Sequence, residues 1–155
     1  MNGARSGLAF RDLPPAPRHA PWVASLWSLV TERTSSARQY WVPPDGCSHL
    51  VVRHDSVILA GPQTAPLRRA VEPGTSSFGV RLQPGAVRAL FSLRDVPSLR
   101  GRWIDVAALP QLRSVAAWGI ALDCRRPLEA LAASASLLLD TLLETARLPD
   151  AIVTD

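Results

Sequence analysis

The residues that could do chemistry are few, and their spacing narrows what they can do. Arg81 lies in the run SSFGVRL at 76–82, where Phe78, Val80 and Leu82 share one face of a strand and Ser77, Gly79 and Arg81 the other. If the apolar set fills a core, the guanidinium points away from it. There it can brace the fold against an acid such as Asp45 or Asp105, or serve as a fork for an anionic ligand. Trp27 and Trp41 can wall an apolar pocket or simply fill the core. His19, His49 and His54 are the only histidines, and a metal site would need several of them to converge with a carboxylate. His49 and His54 are five apart, which puts them on opposite faces of a continuous strand. Cys47 and Cys124 fit neither a zinc nor a redox spacing. Asp45-Gly46 reads as a turn, with the Asp side chain bonded to its own backbone. Nothing signals a Ser-His-Asp arrangement, and Gly79 to Gly85 lacks the strand–loop–helix context of a phosphate cradle. The expectation is therefore no catalytic residue, no metal and no cofactor. The ligand-binding set expected is Arg81, Trp41, Trp27 and His49.

The elements that must position these residues are legible in outline. The 155 residues are 47% hydrophobic and 19% charged, enough for one domain with a core. All 17 basic residues are arginine, giving a formal charge of +4. No basic stripe follows a helix, so residues 1–155 alone are not expected to grip DNA. Arg11 and Asp12 interrupt the N-terminus before any signal-peptide core forms, and the uncharged stretch from Ala130 to Leu139 is about half of a membrane crossing. A cytoplasmic protein with reduced cysteines and no membrane contact is expected.

Prolines at 14, 15, 17 and 21 make residues 1–21 an extended lead-in. Strands are expected at 22–31 and 38–42, the second running into the turn PPDG at 43–46. Hairpins follow at 48–53 with 56–60, and at 67–71 with 76–82 around Pro73-Gly74. After Pro84 the pattern turns helical: 85–91, then 110–119 with Gly119 as its stop, then 128–148 opened by Pro127. In this last helix Leu128, Leu131, Ala135, Leu138, Leu142 and Ala146 form one stripe, which Leu137, Leu139 and Leu143 widen. That second set predicts either burial in a helical layer or a contact between two copies of the helix.

Three clusters, WVPPDGCSHLVV at 41–52, AGPQT at 60–64 and FGVRLQPGAVRALF at 78–91, follow VASLWSLV at 23–30. In this order they resemble the N-terminal effector-type domain of a subgroup of AraC-type bacterial transcription regulators. The resemblance covers about 23–148. His49 departs from it, standing where the pattern has an acidic residue. The chain also stops at ARLPDAIVTD, about where a regulator's helix-turn-helix domain should begin.

The fold expected is α+β: a cupin-like antiparallel β-barrel (22–83) and a helical subdomain (84–148), with 149–155 starting a linker. The resemblance implies a regulatory domain that binds an unidentified small-molecule effector, forms a homodimer through Leu137, Leu139 and Leu143, or does both. DNA would be reached only through a DNA-binding domain missing from this chain. The alternatives are a stand-alone small-molecule-binding barrel and a metal-dependent cupin enzyme.

Overall fold

The structure, a computed structural model, describes residues 8–33, 38–42, 44–93 and 97–152. Runs rich in β-branched and aromatic residues, separated by Gly, Pro, Asp and Ser turns, form strands. These are β1 (Leu8–Leu13), β2 (Val23–Thr31), β3 (Arg38–Val42), β4 (Ser48–Val52), β5 (Val57–Ala60), β6 (Leu67–Val71), β7 (Ser76–Leu82) and β8 (Trp103–Asp105). Helices α1 (Ala86–Phe91), α2 (Arg113–Ile120) and α3 (Leu128–Ile152) follow β7, with β8 between the first two. Six strands make one sheet in the order β1-β2-β7-β4-β5-β8, and β3 pairs with β6 as a separate ribbon. Every pairing is antiparallel. The fold is thus α+β, as the sequence implies.

Register decides what each sheet face does, because a strand alternates its side chains with a period of two. One row across the sheet reads Leu13, Leu26, Val80, Leu50, Leu59 and Ile104. The parallel row of Ser28, Phe78, Val52 and Val57 lies on the same face. Both rows pack under the helices with Val87, Leu90, Leu112, Val115, Leu128, Leu131 and Ala135. Fully burying each of the larger side chains contributes about 1.5–3 kcal/mol, so this face holds the domain together. The helices seal it, α3 lying against β1, β2 and β7. Polar contacts from the N-terminal segment reach α3 as well: ion pairs of Arg11 with Glu129 at 2.6 Å and Arg18 with Asp140 at 2.9 Å, and a hydrogen bond between buried His19 Nε2 and Asp140 at 2.6 Å. Among the described residues no helix is long and apolar enough to cross a membrane.

The structure corrects the sequence reading at several points. Strands 67–71 and 76–82 form where expected, but they do not pair with each other. Gly74 has φ +71 and its N–H bonds to the Glu32 carbonyl, while Thr31 donates to the Thr75 carbonyl. The turn therefore delivers β7 to β2, which offers a full-length partner, and leaves β6 to β3. The lead-in is not outside the domain, since residues 8–13 add β1 to the free edge of β2. Gly119 is not a stop but sits inside α2, where a Cβ would collide with the Val57 side chain. Helix α3 runs to Ile152, past the expected end at 148 and through Pro149. Leu139 is 4% exposed and belongs to the monomer core, since 3.6-residue periodicity carries the buried stripe Leu128, Leu131, Ala135 onto 139. Leu137 is 71% exposed and Leu143 is half-buried.

Candidate functional site

The sheet's other face carries the polar and aromatic residues. Its central row is Ser25, Arg81, His49, Ala60 and Trp103, one from each of five neighbouring strands. The next row is Asp12, Trp27, Gly79 and Val51, and the one beyond it Phe10, Leu29 and Ser77. Val42 of β3 and buried Gln63 help to line the space above them. The result is a cleft of about 410 Å³, within the range of roughly 300–1,000 Å³ common to small-molecule sites.

At its floor lies a connected polar network. Gly46 takes φ +70, and Asp45 Oδ1 accepts the Cys47 N–H at 2.9 Å, fixing the turn before β4. The other oxygen, Oδ2, is thereby held 2.8 Å from Arg81 Nη2 and 3.4 Å from His49 Nε2. The Trp27 indole N–H donates to His49 Nδ1 at 3.2 Å. An Nδ1 that accepts has no proton of its own, so the neutral ring carries its hydrogen on Nε2. Burial pushes the His49 pKa below its ordinary value; Asp45 opposes that shift and the Arg81 charge adds to it. That direction favours the neutral imidazole.

Trp27 reaches His49 only because β7 has a glycine beneath it. A Cβ built on Gly79 would stand 2.5 Å from Trp27 Nε1 and closer still to Cε2 and Cζ2. A glycine inside a strand often marks such a close approach. Phe10 extends the aromatic surface, with its ring centroid 6.1 Å from that of Trp27, and is 60% exposed. At the other end, the Arg69 and Arg53 guanidiniums lie 3.4 and 5.4 Å from the Trp103 ring centroid.

Three of the four expected ligand-binding residues, Arg81, His49 and Trp27, therefore meet in one cleft. Trp41 lies in β3 opposite Arg68, and its side chain is outside the described residues. Leu137, Leu139 and Leu143 lie on α3, which is not part of the cleft. Asp45 makes the turn expected of it and is also, of the two acids the sequence offered to Arg81, the one that pairs with it. Phe10, Trp103 and Gln63 were not singled out. Alternation of Leu8, Phe10 and Asp12 was the available signal for the first; the three-residue β8 offered none for Trp103. The set brings together an aromatic wall, a row of donors and an ion pair, groups that can recognise a small molecule. Cys47 and Cys124 are buried free thiols, and burial pushes the Cys124 thiol up. Among the described residues no group of three or more histidines, cysteines and acids is placed to hold a metal ion.

A family model described as a domain of unknown function, DUF6597, matches residues 11–105. The matched span carries the six-stranded sheet from within β1 to the end of β8, and with it every residue of the polar network. Neither a curated protein nor a solved structure matches the chain.

Proposed function

We propose a role for this chain, which belongs to the DUF6597 domain family: it is the effector-binding regulatory domain of an AraC-type transcription regulator. The cleft on the open face of the sheet is its effector site. One observation carries this reading. The segments that resemble such regulators, PPDGCSHL and FGVRLQPG, supply Asp45, Gly79 and Arg81, and these meet at the cleft floor in a single network with His49, the position that departs from the resemblance. In this role the domain is not an enzyme, works in the cytoplasm as a homodimer, and acts on DNA through a separate DNA-binding domain. An effector would act by binding one arrangement of the domain better than another, since only differential affinity shifts an equilibrium.

The test is a thermal-shift screen of wild type and Trp27→Ala against a library of small metabolites. Stabilising hits that disappear in the variant are expected. No hit, or hits equal in both proteins, would overturn the cleft as effector site. A hit is then applied to residues 1–155 fused to a dimer-dependent DNA-binding domain, where unchanged reporter occupancy would overturn regulation.

A further inference from the structure

We infer the chemical class of the ligand: a flat aromatic body carrying a hydrogen-bond-accepting oxyanion, an aryl or arylalkyl carboxylate. This rests on the cleft being a binding site, as proposed above. The argument begins with unpaired polar atoms. Arg81 Nε and Trp103 Nε1 are buried without a hydrogen-bond partner among the described residues, and His49 Nε2, which likewise makes no hydrogen bond, has the Asp45 Oδ2 3.4 Å away. All three belong to the row that crosses β7, β4, β5 and β8. Indole and guanidinium nitrogens can only donate, and the bond from Trp27 leaves His49 donating at Nε2 as well. A buried donor left unsatisfied is costly, so such a row favours a partner that brings acceptors. Among the described residues no side-chain acceptor lining the cleft is buried and unpartnered, so a ligand rich in donors would find less to answer it.

Charge selects within that class and sets the orientation. Asp45 is committed to Arg81 at 2.8 Å, which makes the centre of the cleft close to neutral. Arg53 lines the far end, has no carboxylate within ion-pair distance among the described residues, and lies over Trp103 beside Arg69. Asp12 lines the opposite end, on β1. An anionic head thus belongs toward Trp103 and Arg53, away from Asp12, with the apolar body along Trp27 and Phe10. Those two rings are tilted by 30°, a nearly continuous wall for a planar molecule.

The test uses three probes that share one aromatic body: 2-naphthoate, 2-naphthalenemethanol and 2-naphthylmethylamine, titrated by calorimetry. The carboxylate should bind at least about tenfold tighter than the ammonium, with the alcohol between them. Arg53→Gln and Trp103→Phe should each weaken the carboxylate roughly three- to tenfold, the scale of one lost donor, while leaving the melting temperature in place. Asp12→Asn should leave carboxylate binding equal or tighter. Ammonium binding as tight as carboxylate would overturn the class, as would carboxylate binding untouched by both variants. Three probes of equal affinity, all abolished by Trp27→Ala, would overturn the class while leaving the cleft as a binding site. Absence of naphthoate binding at millimolar concentration also overturns the class, and the metabolite screen then judges the cleft independently.

Discussion

Gly79→Ala should damage the site and the fold together, through one collision. The new methyl would fall within the Trp27 indole, 2.5 Å from Nε1 and closer to the ring carbons Cε2 and Cζ2. Both atoms sit on a central part of the sheet, with β7 held by β2 on one side and β4 on the other, so the backbone cannot retreat. The indole must turn away. Overpacking of this kind costs about 1–3 kcal/mol. The lost bond to His49 Nδ1 adds about 0.5–1.5 kcal/mol. Alanine is intrinsically better than glycine within a strand by about 0.5–1 kcal/mol, which offsets part of the loss. The net expectation is a destabilisation of about 2 kcal/mol, or a fall in melting temperature of roughly 4–8 °C for a chain of this length. Differential scanning calorimetry measures the first number. The decisive measurement is the same change in a Trp27→Ala background. Without the indole there is no collision, so Gly79→Ala should become neutral or slightly stabilising, and the sign of its effect should reverse. An equal loss in both backgrounds would refute the account, because the methyl would then be meeting something other than Trp27.

Arg81→Ala should cost about 1–2 kcal/mol in urea denaturation, because it strands the Asp45 carboxylate, which is 14% exposed; the 36% exposure of the arginine keeps the figure at this level. An unchanged midpoint would mark the pair as inert. Stability should also fall with pH in two separate windows. His49 is held below its ordinary 6.5, so the unfolded chain takes up the proton first and stability declines as pH drops below about 6.5, a slope that His49→Gln should remove. The Asp140 carboxyl is lowered from 3.8 to about 2 by Arg18 and His19, so its contribution is complete above pH 3.8 and disappears as pH falls toward 2; Asp140→Asn should flatten that lower limb alone. Wild type should scatter light as a dimer and Leu137→Glu as a monomer, since among the described residues Leu137 is the large apolar side chain of α3 left exposed. A monomeric wild type would refute the pairing. Leu139→Glu would test nothing here, because that residue is core.

What the sequence disclosed and what it withheld divide along a physical line. Period-two alternation is local, so the face of Arg81 on β7 could be read directly from Phe78, Val80 and Leu82. The length of β2, the turn at Asp45-Gly46 and the first part of the buried stripe of α3 (Leu128, Leu131 and Ala135) were readable for the same reason, whereas beyond Ala135 full burial passes to Leu139 and not to the expected Leu138. Strand pairing is not local. Pro73-Gly74 has good hairpin chemistry, yet β7 pairs with β2 and β4 because their lengths and apolar faces match across the sheet. Edge strands were the hardest to see. β1 is followed directly by the proline-rich segment and exposes Ala9, Phe10, Arg11 and Asp12, while β8 has three residues and no pattern at all. Both contribute to the cleft, so the residues missed there, Phe10 and Trp103, are the ones supplied by strands the pattern could not register.

Gly79 shows how the two kinds of information join. As a sequence feature it weakened the strand, offering no side chain to a face that also held Ser77 and Arg81. In the sheet it is the position where β7 passes beneath Trp27, and the missing side chain becomes the space the indole occupies. That space brings Nε1 to His49, which fixes the imidazole with its proton on Nε2, facing Asp45 and the Arg81 pair. Each link depends on the one before it. A glycine therefore sets the protonation geometry of a histidine on the neighbouring strand, though neither residue carries a motif for it. Asp45 supplies the carboxylate for Arg81 from the preceding turn, leaving position 49 free to be a neutral donor in the floor of the cleft.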